Sequence, residues 1–135
     1  MTDQEFDSQF LKKTAREREL TTEILWDIVE LDRRQLYLKY AYPSLFAYLT
    51  RRAGYSDGAA QRRIDAARLL NKIPEVANAI GEGRIHLSQV AKIQQVCRQA
   101  KKETGVQIDV AKKKNILKKL ENKNSRETEL ILAQE

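Results

Sequence analysis

The chain has 135 residues, of which 41% are hydrophobic and 33% charged, and its formal net charge is +6. This composition supports a single domain with a hydrophobic core, and the basic balance favours a polyanionic partner. The single cysteine, Cys97, excludes a disulfide within the chain and suits a reducing compartment. The acidic, polar start MTDQEFDSQF is unlike a signal peptide, and no apolar run approaches the ~18 residues of a membrane span. We therefore expect a cytoplasmic protein with no membrane partner.

Hydrophobic periodicity predicts an all-α chain, because no strand-like alternation of any length occurs. The predicted N-caps are Thr21 or Thr22, Ser56 and Ser88, and Gly54 and Gly105 are predicted to end helices. The pattern predicts helices at about 3–19, 21–40, 44–53, 57–72, from 74 to near the GEGR sequence, 88–103, 109–122 and 125–134.

In the first predicted helix Phe6, Phe10, Leu11 and Ala15 share one stripe. We expect a compact multi-helix bundle that forms one domain over residues 1–123. Residues 124–135 are expected to be a helical tail or the start of a linker.

Positive charge is concentrated in two blocks of the sequence. Residues 51–72 contain 6 Lys/Arg and 2 Asp/Glu, a net charge of +4, and residues 98–123 contain 9 and 3, a net charge of +6. Residues 1–50 contain 7 Lys/Arg and 9 Asp/Glu, a net charge of −2. The two basic blocks are therefore the places where contacts to a polyanion are expected.

The stretch GYSDGAAQRRIDAARLL, from Gly54 to Leu70, combines small residues with arginines. On a helix that begins at Asp57, Ala60 and Ala67 share one face with Ile64, and small residues there permit close packing. The opposite face of this helix carries Gln61, Arg62, Asp65, Arg68 and Lys72.

A short helix, a Gly-Tyr-Ser turn and a longer helix predict a helix-turn-helix at about residues 44–72, whose second helix would enter the DNA major groove. A solvated helix in an ordinary bundle is the open alternative. Asp57 and Asp65 count against DNA binding, since each would repel phosphate.

Within this unit Gln61 and Arg62 are the predicted base-facing residues. The predicted phosphate contacts are Arg51, Arg52, Arg63, Arg68 and Lys72. The second basic block, KKKNILKKLENK, predicts a helix with Val110, Leu117 and Leu120 inward. Its lysines Lys112, Lys114 and Lys118 are predicted to make non-specific phosphate contacts, with a solvated amphipathic helix as the alternative.

Three stretches carry a resemblance to a known family: ELTTEIL with DRRQLYL, SLFAYLTRRAGYSDGAAQRRIDAARLL, and GRIHLSQVA. With them, nearly the whole chain resembles the N-terminal helical region of a bacterial HNH endonuclease family. In longer members this region precedes a linker and an HNH nuclease module. The stretch from Gly54 is also similar in pattern to the helix-turn-helix of ParB partition proteins. There too a Gly-x-Ser turn leads a helix, and a Gly-Arg-hydrophobic segment follows.

The chain departs from this family in its catalytic residues. An HNH site needs at least two histidines and residues that hold a divalent metal, but this chain has one histidine, His86. His86 is expected to be a helix cap or a surface residue. We therefore predict a DNA-targeting module with no catalytic residues, metal, cofactor or small-molecule substrate.

The alternative is a helical module for protein–protein interaction or dimerisation, and a homo-oligomer stays open. Exposed rings among Trp26, Tyr37, Tyr40, Tyr42 and Tyr48 would favour this alternative.

Overall fold

The computed structural model describes residues 1–134, which form eight α-helices and one π-helical segment without a strand. This confirms the all-α prediction. In chain order the helices are α1 (Asp3–Arg34), α2 (Leu36–Lys39), α3 (Leu45–Ala47), α4 (Asp57–Lys72), α5 (Glu75–Gly81), α6 (Leu87–Thr104), α7 (Val110–Leu120) and α8 (Ser125–Ala133). The π-helical segment, Tyr48–Arg52, directly continues α3.

The predicted break between the first two helices is wrong, because α1 runs unbroken for 32 residues. The hydroxyls of Thr21 and Thr22 donate to the carbonyls of Glu17 (2.9 Å) and Glu19 (2.7 Å) inside the helix, so they do not act as N-caps. The helix ends at Gln35, which adopts a left-handed conformation (φ 51°) and donates its N–H to Asp32 O. The long helix spans roughly 48 Å at 1.5 Å per residue.

Helix α4 lies at the centre of the bundle and packs mainly against α1 and α6. Ala60, Ile64, Ala66, Leu69 and Leu70 are all buried. At 100° per residue these side chains point around more than half of the helix circumference. The small residues of α4 thus serve close packing, as the sequence predicted.

Local chemistry sets where α4 begins. Gly54 has φ 85° and ends the preceding helix, and the Ser56 hydroxyl accepts the Ala59 N–H at 3.2 Å. The predicted cap at Ser88 is wrong. His86 is the N-cap of α6, and its N–H donates to Gln89 Oε1 at 2.8 Å.

The C-terminal helices close the bundle around one buried amide. Gln89 Nε2 lies 3.0 Å from the carbonyl oxygens of Leu120 and Lys123 and 3.0 Å from Thr128 Oγ1. Leu120 ends α7, Lys123 lies between α7 and α8, and Thr128 lies in α8. The contacts therefore join the start of α6 to both C-terminal helices. Helix α8 therefore packs within the bundle, with Leu132 buried.

Two predicted apolar stripes differ from the structure. Val110 is 40% exposed rather than inward, because the buried face of α7 begins one turn later, at Lys113. On α1, the stripe of Phe6, Phe10 and Leu11 is exposed, at 64%, 56% and 55%. The first turns of α1 therefore carry an apolar face that no other described residue buries.

Substitution of Ala60 tests the close packing of α4. Ala60→Leu should lower the free energy of unfolding by about 1–3 kcal/mol, because a larger side chain overpacks a site with no free volume. Arg62→Ala, on the exposed side of the same helix, should change it by less than about 0.5 kcal/mol. Urea unfolding of both variants measures the difference. Equal stability of the two variants would contradict the packing described here.

Candidate nucleic-acid interface

Asp65 is fully buried in the middle of α4, although the sequence predicted it on the exposed face. Helix α6 packs over that side and supplies Arg98, whose Nη1 and Nη2 donate to Asp65 Oδ1 (2.7 Å) and Oδ2 (3.3 Å). Gln61 Nε2 donates to Oδ1 at 3.0 Å. A buried carboxylate must be paired and hydrogen-bonded, and these three bonds do both. The prediction that Asp65 would face and repel a phosphate is therefore wrong.

Cationic side chains gather where α4 and α6 end and α7 begins. Lys72, Arg98 and Lys112 lie close enough to the Cys97 thiol to favour its thiolate, together with Lys113. Burial of Cys97 outweighs them and raises the pKa of the thiol. Lys72 also lines one shallow groove with residues 107–110 and Lys113, so the end of α4 lies beside the start of α7.

Two more lysines extend this group along α6. Lys101 and Lys102 follow Arg98 by three and four residues, so they lie on the same side of the helix, and both are exposed. We call this surface the basic ridge, and it consists of Lys72, Arg98, Lys101, Lys102 and Lys112. Among residues 1–134, no carboxylate forms an ion pair with its four lysines.

The acidic residue Asp109 borders the basic ridge at the start of α7. Asp109 lines the same shallow groove as Lys72, and its carboxylate accepts the Lys112 N–H at 2.8 Å at the start of α7. Asp109 thus serves as the N-cap of α7. The ridge keeps a surplus of positive charge, because only Arg98 is neutralised by a carboxylate.

Several of the predicted DNA contacts are occupied by other partners. Arg68 lies 3.5 Å from Asp32 on α1, and Lys114 lies 3.8 Å from Glu75 on α5. Gln61 is engaged with Asp65. These side chains can reach a phosphate or a base only by giving up a partner that they already have.

Two further predicted contacts lie against tyrosines. Arg63 Nη1 donates to Ala59 O at 3.1 Å, and its guanidinium lies 4.5 Å from the centre of the Tyr55 ring. Arg52 lies 4.1 Å from the centre of the Tyr40 ring. Both contacts are cation–π stacks, which leave the positive charge uncancelled.

The remaining predicted contacts lie apart from one another. Arg51 and Arg62 are exposed near the start of α4, and Lys118 lines the groove between α5 and α7 with Lys114. Lys72 and Lys112 belong to the basic ridge. The structure therefore does not bring the ten predicted residues together on one surface.

The part of the α4 surface that faces solvent is a narrow strip along the helix. The Arg68–Asp32 pair crosses it on the side of α1, and the Arg98–Asp65 pair closes it on the side of α6. The first two turns, from Asp57 to Arg62, are its most open part. These turns are therefore open to solvent, whereas the later turns lie between two flanking helices.

Sequence reasoning missed Arg98, Lys101 and Lys102. They belong to the charge block at 98–123, but contacts were assigned only to the lysine-rich helix that follows. Spacing alone cannot show that the end of α6 lies beside the end of α4.

Other kinds of site find little support in the described part of the chain. Residues 1–134 contain no group of three or more His, Cys, Asp or Glu side chains placed to hold a metal ion. His86 is exposed at the start of α6. None of the helices in this range is both long and apolar enough to cross a bilayer.

Removal of Arg98 tests the buried pair. Arg98→Ala should lower the free energy of unfolding by about 1–3 kcal/mol, because it leaves a buried carboxylate without its charged donor. Arg98→Lys should recover part of this loss, since an ammonium supplies charge without the two-pronged geometry. Lys92→Ala on the same helix removes the exposed pair with Glu129 and should cost much less than Arg98→Ala, because solvent screens an exposed ion pair. Chemical unfolding that ranks Lys92→Ala as the more damaging change would refute the role of the pair.

Comparison with known proteins gives one match. No curated protein and no solved structure matches the chain. The family model described as Domain of unknown function (DUF222) matches residues 7–129. Since the match covers most of the sequence, from the second turn of α1 to the middle of α8, the chain belongs to the DUF222 family.

Proposed function

We propose that the protein binds duplex DNA, chiefly through phosphate contacts along the basic ridge, as a targeting module related to the N-terminal region of HNH endonucleases. Exposed lysines without a carboxylate partner suit the phosphate backbone, because each can neutralise one phosphate and release a counterion. The sequence resemblance to HNH endonucleases supports DNA as the polyanion.

The observation that carries this proposal is the burial of Asp65 under Arg98. An exposed carboxylate between Arg62 and Lys72 would repel the DNA backbone. Buried and paired, it contributes no surface charge, and the neighbouring lysines are left as the dominant charges of the ridge. Arg98 remains half exposed at the edge of the same surface.

Arg62 is the residue that would contact a base edge. Of the two predicted base-facing residues, Gln61 is engaged with Asp65, while Arg62 is exposed and enters no ion pair among the described residues. An arginine at the open start of a helix can reach a guanine edge in the major groove. The phosphate contacts would then supply affinity and Arg62 the preference for sequence.

A second candidate function, binding of a protein partner, is favoured by α1. Its exposed Phe6, Phe10 and Leu11 form an apolar face, and Trp26 is 41% exposed further along the helix. Clustered exposed rings are typical of protein-binding surfaces. This surface is distinct from the basic ridge, so DNA and a protein partner do not compete for the same residues.

Salt dependence tests the proposed function. With about five phosphate contacts, the slope of log K against log salt concentration should be about −4 to −5 for duplex DNA. The combined change Lys72→Gln and Lys102→Gln should make the slope less steep by about 2 and weaken binding equally on all sequences. Fluorescence anisotropy with a labelled duplex measures both quantities.

The matched control is Lys12→Gln with Lys13→Gln, which removes the same charge from the first turns of α1. This control should leave the slope within about 0.5 of the parent, because α1 makes no predicted phosphate contact. No binding of duplex DNA at low salt would overturn the proposed function. An equal effect of the two charge changes would overturn the assignment to the basic ridge.

We also expect no nuclease activity from this chain. The reason is chemical, since hydrolysis by an HNH site needs a histidine base and a bound divalent metal. Supercoiled plasmid incubated with the protein and Mg²⁺, Mn²⁺ or Zn²⁺ should stay intact. Nicking that follows the protein through stringent purification would contradict this expectation.

A further inference from the structure

The segment from residue 33 to residue 56 has an unusual composition. It contains 5 Lys/Arg and no Asp or Glu, although the chain has 19 acidic residues. All 5 tyrosines of the protein lie between Tyr37 and Tyr55. A stretch that joins tyrosines and arginines without any acid is suited to an anionic partner with flat, stackable groups.

The structure brings three of these tyrosines and Arg52 into one group of neighbouring side chains. The Arg52 guanidinium lies 4.1 Å from the centre of the Tyr40 ring and 5.9 Å from that of Tyr48. The Tyr48 ring centre lies 6.4 Å from Tyr40 and 5.8 Å from Tyr42, edge-on to the latter. We call this group, together with the exposed Arg51, the tyrosine–arginine cluster.

The backbone that builds the cluster departs from regular helix. Ala41 adopts φ 64°, and the Tyr42 N–H donates to Tyr37 O at 2.9 Å, which turns Tyr42 back toward the preceding helix. The π-helical segment then widens the turn, and the Ala53 N–H donates to Tyr48 O at 3.1 Å. Tyr48 and Arg52, four residues apart, lie on the same side of this segment and both contact Tyr40.

The positive charge of the cluster is not neutralised. Arg33 and Arg34 both bond to Glu30 and lower the pKa of that carboxyl to about 2, so one of their two positive charges is balanced. Lys39, Arg51 and Arg52 have no carboxylate partner among residues 1–134. If the cluster served packing alone, the unpaired cations Lys39 and Arg51 near the exposed ring would add no stability.

We propose that the tyrosine–arginine cluster binds the unpaired bases of single-stranded DNA. Tyr40, which is 42% exposed, offers a ring on which a base can stack, next to the guanidinium of Arg52. Arg51 and Lys39, the exposed chain neighbours of Arg52 and Tyr40, would contact the phosphates that flank that base. Stacking of this kind tolerates any sequence, because every base has a π-face.

This inference rests on the proposed function in taking DNA as the partner, but it concerns a different surface. The cluster lies before the start of α4, and the basic ridge begins at its end. The 16 residues of α4 span roughly 24 Å, about the length of seven base pairs. A duplex on the ridge with a single-stranded end at the cluster would engage both surfaces.

Tyr40→Ala tests the cluster with a labelled twelve-nucleotide oligothymidine and a blunt duplex at one fixed low salt concentration. The variant should bind oligothymidine about 5- to 150-fold more weakly than the parent, which is the range for loss of one stacked base. Its affinity for the blunt duplex should stay within about twofold. Tyr40→Phe keeps the ring and should bind oligothymidine like the parent.

Leu38→Ala is the control, because Leu38 is 54% exposed and lies two residues before Tyr40 but carries no ring and is not part of the cluster. It should leave the affinity for oligothymidine unchanged. Arg51→Ala, which spares every ring, should also weaken oligothymidine binding and serves as the second variant where Tyr40→Ala does not fold.

The outcomes separate the two proposals. Unchanged oligothymidine binding by Tyr40→Ala, or an equal loss in Tyr40→Phe, would overturn stacking at the cluster while leaving duplex binding in place. Binding of oligothymidine without binding of the duplex would support the cluster and overturn the proposed function. Binding of neither DNA overturns both proposals and would leave the tyrosines and arginines to a protein partner, for which this composition is also suited.

Discussion

The pairing of Asp65 with Arg98 is the interaction on which the arrangement of the other helices depends. A carboxylate at the centre of the bundle is tolerated only when another element brings it a charged donor. Helix α6 does this, and in doing so it covers one side of α4. The close approach that the alanines of α4 permit thus comes with a specific polar contact that fixes how α4 and α6 face each other.

The same pairing shapes the surface. Because Asp65 is buried and paired, lysines are the main charges where the end of α4 meets the end of α6 and the start of α7, with Asp109 at their border. The flanking pairs Arg68–Asp32 and Arg98–Asp65 leave α4 only a narrow outward strip. Under the proposed function, this geometry favours phosphate contacts along the basic ridge over insertion of the whole helix into a groove, and it leaves Arg62, at the open first turns, as the candidate for contact with a base.

The molecule carries three surfaces of different chemistry. The basic ridge presents lysines, the tyrosine–arginine cluster presents stacked rings and guanidinium groups, and the start of α1 presents an apolar face. Lysines act as point charges that suit phosphate in any sequence, whereas rings and arginines add planar stacking. This division makes a module with separate contacts for duplex, single strand and protein physically reasonable within one small bundle.

The sequence by itself determined the features that depend on neighbours in the chain. Ser56 and Gly54 set the start of α4 because capping and a positive φ act within a few residues, and the composition of residues 33–56 is visible without any structure. The inward faces of Ala60 and Ile64 followed from helical periodicity.

Only the tertiary structure decided the features that depend on distant partners. Asp65 could be known to be buried only once Arg98, 33 residues away, was seen to reach it. Thr21 and Thr22 can cap a helix or lie within one. In the folded chain they lie within α1, which packs against α4 and α5 as one continuous helix. Tertiary contacts also determine which cations are paired. Arg68 and Lys114 pair with carboxylates on other helices, whereas Lys72 does not. Charge and periodicity are local properties of a sequence, but neutralisation and burial are properties of the residues that folding brings together.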